Sequence, residues 1–176
     1  IHWKGFELAV RAFAQFHGRF PASDYWLIGD GPERKRLERL SRKLGVADSV
    51  LFLGNMPRGQ VLDKLNECDV LVHPSLHDSG GWVCVEAMAA GRPVICLDLG
   101  GPAVQVTPET GIKVPARSPG QVIRDLAVAM GQLAEDRVRR EYMAKGGRAH
   151  VRECFSWDKK GEWLNRVYWL HTTSRH

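Results

Sequence analysis

The stretch His77 to Ile95 reads HDSGGWVCVEAMAAGRPVI and sets two acids, Asp78 and Glu86, on either side of the pair Gly80-Gly81. Glycines placed directly before a helix that starts near Trp82 leave the first backbone N–H groups and the positive helix end aimed at one spot. That is an anion site by construction. Glu86 falls in the first turns of the same helix, with apolar Val83, Ala89 and Ala90 as its helical neighbours. A carboxylate there either meets a partner, for which ribose or other sugar hydroxyls would serve, or faces water as an N-terminal helix acid.

Three other corners could approach a ligand. Ile28-Gly29-Asp30-Gly31-Pro32-Glu33 offers Gly29 and Gly31 for close backbone approach, and Pro32 reads as the first helical position. It resembles the start of G-x-G-x-x-G, but Arg34 stands where the third glycine belongs, so a tight turn and a ligand contact both remain open. Gly54-Asn55-Met56-Pro57 reads as a turn whose backbone could meet a flat ring. Leu97-Asp98-Leu99-Gly100-Gly101-Pro102 sets another glycine pair after a strand. His73, His77 and Asp78 invite a metal reading, yet an i,i+4 histidine pair chelates from a helix and Pro74 marks a loop. Polar contacts in a cleft are expected there, and no metal. The sequence contains no nucleophile elbow, no phosphate-binding G-x-x-x-x-G-K-[ST] and no H-E-x-x-H.

The elements that position these corners alternate. Apolar residues at helical spacing predict a helix over Gly5 to His17, and Tyr25 to Ile28 is a continuous apolar run suited to a strand buried on both faces. A charged helix follows from about Pro32 to Leu44, then strand Val50 to Leu53, helix Gly59 to Asn66 and strand Val70 to Val72. Helix Trp82 to Ala90, strands Val94 to Leu97 and Ile112 to Val114, two helices to about Val151 and a last helix from Trp157 to about Leu170 complete the series. Such alternation means an α/β class: a Rossmann-like, doubly wound parallel sheet flanked by helices, with ligands at the carboxyl ends of the strands. Because the chain opens on a helix, a strand is expected to be missing. The sheet should then have about six strands at most, with a vacant lane near its middle.

The chain has 176 residues, 44% hydrophobic and 26% charged, enough for one packed domain. No run of 18 apolar residues and no signal-peptide layout occurs, which predicts a cytosolic chain. Cys68, Cys84, Cys96 and Cys154 form no C-x-x-C pair and read as buried reduced thiols. The net charge of +5 comes from arginines and lysines on helical faces without interleaved aromatics. A solvated surface is expected rather than a nucleic-acid groove, with room for peripheral contact at the inner face of an anionic membrane.

The ordered blocks WKGFELAVRAF, LIGDGPERKRLERLSRKLGVADSVLFLGNM, CDVLVHPSLHDSGGWVCVEAMAAGRPVI and GGPAVQVTPETGIKVPA together resemble the C-terminal, nucleotide-sugar-binding half of the family-four (group 1) retaining glycosyltransferases of GT-B fold. The resemblance spans essentially residues 1–176. It implies a donor-binding domain in which residues 156–176 form a helix that packs back toward an N-terminal half, and that half holds most of the acceptor. In the family's E-x7-E motif Glu86 matches the second glutamate, which binds ribose. Asp78 takes the first position, normally glutamate and near the reacting carbon, and its shorter side chain departs from the pattern. Gly80, Gly81, Trp82 and Val83 match the segment that meets diphosphate and sugar, Met56 the loop that holds the base, and Lys4 the cation that neutralises the leaving diphosphate. The donor implied is a UDP- or GDP-sugar, with no obligatory metal or other cofactor, and this half alone is expected to be inactive. Rival readings are an epimerase or phosphorylase of the same fold and a non-catalytic Rossmann-type nucleotide-binding or interaction module. A dehydrogenase is disfavoured by Arg34.

Overall fold

Helix α1 (Phe6–His17) turns Ala9, Val10, Ala12 and Phe13 inward, the face its apolar spacing marks, and follows a short 3-10 turn at His2–Lys4. The computed structural model of the protein describes residues 2–173, with side chains described to residue 169. After α1 come β1 (Tyr25–Ile28), α2 (Arg34–Lys43), β2 (Val50–Gly54), α3 (Arg58–Glu67), β3 (Leu71–His73), α4 (Trp82–Ala89) and β4 (Val94–Leu97). The chain continues through α5 (Gly100–Gln105), β5 (Gly111–Val114), α6 (Pro119–Glu135), α7 (Arg137–Cys154) and α8 (Trp157–Thr173). Position 1 and positions 174–176 of the expected domain, the latter in its last helix, lie outside the described residues.

All strand pairs are parallel. β1 pairs with β2 in the register Tyr25 to Val50, and β3-β4-β5 form a second sheet in which Leu71 faces Val94 and Val94 faces Gly111. Among the described residues there are thus five strands in two sheets, with an open lane between β1 and β3 where the alternation predicts a vacancy.

β4 explains why its sequence is apolar throughout. All four of its residues are buried: Val94 and Cys96 join a core cluster with Cys84, Val85 and Met88 of α4, while Ile95 and Leu97 join one with Leu126 and Leu133 of α6. Successive side chains point to opposite faces, and helices cover both. A third cluster, Val10, Phe13, Leu27, Leu37 and Val50, ties α1 and α2 to the β1-β2 pair. Ser118 caps α6 by accepting from the Gln121 N–H at 3.3 Å, with Pro119 in the first turn, and Asp136 accepts from the Arg139 N–H at 2.8 Å to start α7.

Several expectations shift. Pro32 lies in a turn ahead of α2 and is not its first residue, since the helix begins at Arg34. β3 starts at Leu71 and extends to His73. α5 occupies a segment read only as a glycine corner; its weak intrinsic propensity is overridden by tertiary contacts that bury Pro102 and Gln105. Cys84 and Cys96 are buried thiols and Cys68 is half-buried, whereas Cys154 is exposed at the end of α7, which corrects the expectation that it is buried. Among the described residues no helix is long and apolar enough to cross a membrane.

Candidate functional site

Lys4 reaches its place through Gly5, which adopts φ 68° as the N-cap of α1 and presses against the loop after β3. A Cβ at Gly5 would stand 1.9 Å from the Pro74 carbonyl oxygen, so only glycine permits this approach. The Trp3 carbonyl accepts from the Leu76 N–H at 2.7 Å and from the Ser75 hydroxyl at 3.2 Å. The start of α1 is thereby pinned to the carboxyl end of β3, and Lys4 Nζ donates to Asp78 Oδ2 at 3.1 Å.

Asp78 organises the corner. Its Oδ1 accepts from the Gly81 N–H at 2.8 Å and from the Gly80 N–H at 3.2 Å. These amides and the Lys4 ammonium hold the carboxyl well below its ordinary 3.8, at about 2, with the Gly81 bond the largest cause. The Gly80 and Gly81 donors therefore both belong to Asp78. One step further on, the N–H groups of Trp82 and Val83 meet no acceptor among the described residues. They are the unfilled donors of the α4 N-terminus.

Gly81 caps α4 at φ 53°, and a Cβ there would come within 2.8 Å of Pro102 Cγ. Gln105 of α5 supports the turn from behind by donating from Nε2 to the Gly80 carbonyl, while its buried Oε1 finds no donor. His73, at the end of β3, places Nε2 3.3 Å from Asp78 Oδ2, too poorly aligned for a hydrogen bond. Burial pushes the His73 pKa below its ordinary 6.5, with Asp78 opposing and Lys4 reinforcing that shift. The imidazole is therefore neutral at neutral pH. His77 is exposed and does not join it, and among the described residues no group of three or more His, Cys, Asp or Glu side chains is arranged to hold a metal.

Glu86 does not face open water. Arg58, at the start of α3, donates to its Oε1 at 3.0 Å, although the guanidinium side chain remains 79% exposed. This partner was not foreseen, because nothing local links Arg58 to a helix 28 residues away. Gln105 was likewise missed, with no sequence signal to mark it, whereas the approach of His73 to Asp78 is of the polar kind expected for that loop.

The other corners contribute less than expected. The Gly29 N–H donates to the Gly54 carbonyl at 2.7 Å and the Gly31 N–H to Asp30 Oδ1 at 2.7 Å, so both backbone donors have partners. Met56 is half-buried in the loop between β2 and α3. Trp82 is exposed, with Lys160 Nζ of α8 5.7 Å from its ring centre. The structure thus brings together Lys4, Asp78, Gly80, Gly81 and the Trp82-Val83 amides. It sets Glu86 with Arg58 on the flank of α4, and it leaves Gly29, Gly31 and Met56 on the β1-β2 side.

An ammonium and two unfilled amides at a helix start, on the carboxyl side of a parallel sheet, can hold an anion; a flanking carboxylate can accept from vicinal hydroxyls. Residues 1–150 match the profile of the family described as glycosyl transferases group 1. The chain is 31% identical over 171 residues to a GDP-mannose-dependent monoacylated alpha-(1-6)-phosphatidylinositol monomannoside mannosyltransferase of Corynebacterium glutamicum, covering 93% of this chain and 43% of that protein. It is 34% identical over 175 residues to a D-inositol 3-phosphate glycosyltransferase of Acidothermus cellulolyticus, covering 94% and 38% respectively. Among solved structures it resembles sucrose-phosphate synthase of Thermosynechococcus elongatus, with a TM-score of 0.81, 29% identity, and coverage of 99% of this chain and 44% of that one. HepE of Anabaena in complex with UDP superimposes with a TM-score of 0.82 and 25% identity over 96% of this chain and 46% of that one. The chain spans about two-fifths of the length of the curated relatives it matches. Sequence profile, relatives and GT-B-type domain agree: the chain belongs to the group 1 glycosyltransferases.

Proposed function

We propose that this chain is the donor-binding half of a retaining glycosyltransferase that moves a sugar from a nucleoside diphosphate carrier to an acceptor. The observation that carries the reading is the convergence of Lys4 with the unfilled Trp82 and Val83 N–H groups at the start of α4. As the bond from the anomeric carbon to the diphosphate oxygen breaks, the electron pair stays on that oxygen. A fixed ammonium and helix-start dipoles lower the cost of that charge without a metal ion. The acceptor hydroxyl forms the new bond on the same face of the sugar and passes its proton to the departing diphosphate oxygen. Asp78 shapes the turn and lies where it can turn to a sugar hydroxyl. Glu86 exchanges Arg58 for the ribose hydroxyls.

A GDP-mannose-dependent mannosyltransferase and a UDP-bound structure both stand among the proteins similar to this chain, so either nucleotide suits the family. We assign the acceptor mainly to an N-terminal half, the α8 helix to contact with that half, and the location to the cytoplasm. The base is assigned to the Gly29–Gly31 and Met56 corners.

Calorimetric titration with UDP, GDP, ADP and their glucose and mannose conjugates tests the reading, repeated on Glu86→Ala. Binding of one nucleotide class that weakens in the variant supports it. Equal binding by parent and variant, or none in a longer protein that includes this chain, removes the site assignment and favours an interaction module.

A further inference from the structure

Behind the Lys4–Asp78 pair lies a buried group without a partner. His73 is 9% exposed, and its Nε2 makes no hydrogen bond although Asp78 Oδ2 stands 3.3 Å away. A buried polar atom left unpaired is costly, and a second arrangement of the site in which it is paired accounts for that cost.

Asp78 shows which arrangement that is. Its Oδ1 is engaged by the Gly80 and Gly81 N–H groups, so the partner that changes with least disturbance is the one at Oδ2. Lys4 Nζ holds Oδ2 from the exposed side, whereas His73 approaches the same oxygen from the interior. On the donor-binding reading, on which this inference rests, Lys4 turns to the diphosphate. Asp78 then faces an incoming anion with no cation at Oδ2, and like charges at that range repel.

His73 is the group placed to relieve this. Cys96 is its register partner on β4, and Cys84 of α4 lies near Asp78; burial raises both thiols, Cys96 to about 12, so neither carries charge. Arg58 is engaged with Glu86, and His77 is exposed. Burial keeps the His73 imidazole neutral, and Lys4 reinforces that effect while Asp78 opposes it. Departure of Lys4 and arrival of phosphate charge both favour the imidazolium.

We infer that His73 is a positioning residue for Asp78: as Lys4 turns to the diphosphate, the imidazole takes up a proton from solvent and donates from Nε2 to Oδ2 in place of Lys4. The new N–H bond forms at the ring nitrogen that had no proton. That proton returns to solvent when the nucleoside diphosphate leaves and Lys4 comes back to Asp78. The exchange keeps Asp78 on the Gly80 and Gly81 amides, so the start of α4 holds its shape while Lys4 serves the leaving group. Donor binding and proton binding each strengthen the other.

Calorimetric titration of a longer protein that includes this chain tests the coupling, with GDP-mannose and UDP-glucose, whose diphosphates do not titrate near neutral pH. Buffers of different ionisation enthalpy count the protons. Near neutral pH the parent should take up about half a proton per donor bound, and affinity should rise about three-fold per unit as pH falls from about 8 to about 6.5. The NMR midpoint of the His73 ring should rise by at least about one pH unit at donor saturation. His73→Gln keeps an N–H donor but does not titrate, so at alkaline pH it should bind within about two-fold of the parent, with no uptake and a flat profile. His77→Gln should retain the uptake. Binding by the parent without uptake, uptake that survives in His73→Gln, or an unmoved His73 midpoint in the saturated parent overturns the inference and leaves the donor site standing. Failure of both donors to bind at any pH removes the donor site and this inference with it.

Discussion

Lys4 and Asp78, 74 residues apart in sequence, meet at 3.1 Å, and the same carboxylate holds the Gly80 and Gly81 amides. One acid therefore fixes both the cation and the turn that precede α4. The arrangement presets a site for negative charge while placing a negative charge of its own beside it.

That placement sets opposite effects on binding and transfer. Asp78→Asn keeps an oxygen for the Gly81 N–H and removes the charge that neutralises Lys4. Calorimetry should give nucleoside diphosphate binding tighter by about three- to ten-fold, equivalent to roughly 1 kcal/mol. Sugar transfer by the longer protein should fall, because the amide no longer supplies the carboxylate. Lys4→Ala should weaken diphosphate binding at least about ten-fold, with a smaller salt dependence than the parent.

The acid limb of stability should carry the same contact. With Asp78 at about 2 in place of 3.8, its contribution is complete above 3.8 and is lost as pH falls through 2. The shift corresponds to about 2 kcal/mol. Urea unfolding of the parent and Asp78→Asn across this range should converge as the acid protonates.

His73 acts at higher pH with the opposite ionisation. Its imidazole is held neutral by burial, so the unfolded chain takes up the proton first and stability declines as pH drops below 6.5. Asp78 and Lys4 are the charged groups that face it. His73→Leu should flatten that decline, and an NMR titration of the His73 ring in the parent should report a midpoint below 6.5.

Gly81→Ala should cost about 2–4 kcal/mol, the sum of a left-handed backbone and an overpacked contact with Pro102. Chemical denaturation measures it, and the loss should be larger than for alanine at Gly31, where a Cβ meets nothing within 4 Å.

The Arg58–Glu86 pair separates stability from binding. Arg58 is largely exposed, so Arg58→Ala should change unfolding free energy by less than about 1 kcal/mol. Nucleotide affinity should be unchanged or slightly improved. Glu86→Ala should leave stability similar but lower nucleotide affinity about 10-fold or more, as expected when ribose hydroxyls lose their acceptor.

The sequence by itself determined the local grammar: the alternation of strands and helices, the apolar run of β4, the start of α4 at Trp82 and the glycine pair before it. These follow from side-chain periodicity and from backbone preferences that neighbours in the chain enforce. Tertiary structure alone decided who satisfies whom. Lys4 meets Asp78 across 74 residues, whereas the grip of Asp78 on the Gly80 and Gly81 amides two and three residues on is a local turn contact. Glu86 finds Arg58, and Gln105 supports Gly80 from a helix built on a Gly-Gly-Pro segment that local propensity disfavours. Hydrogen bonds and charges pair by distance in space, and no periodicity along the chain encodes that distance.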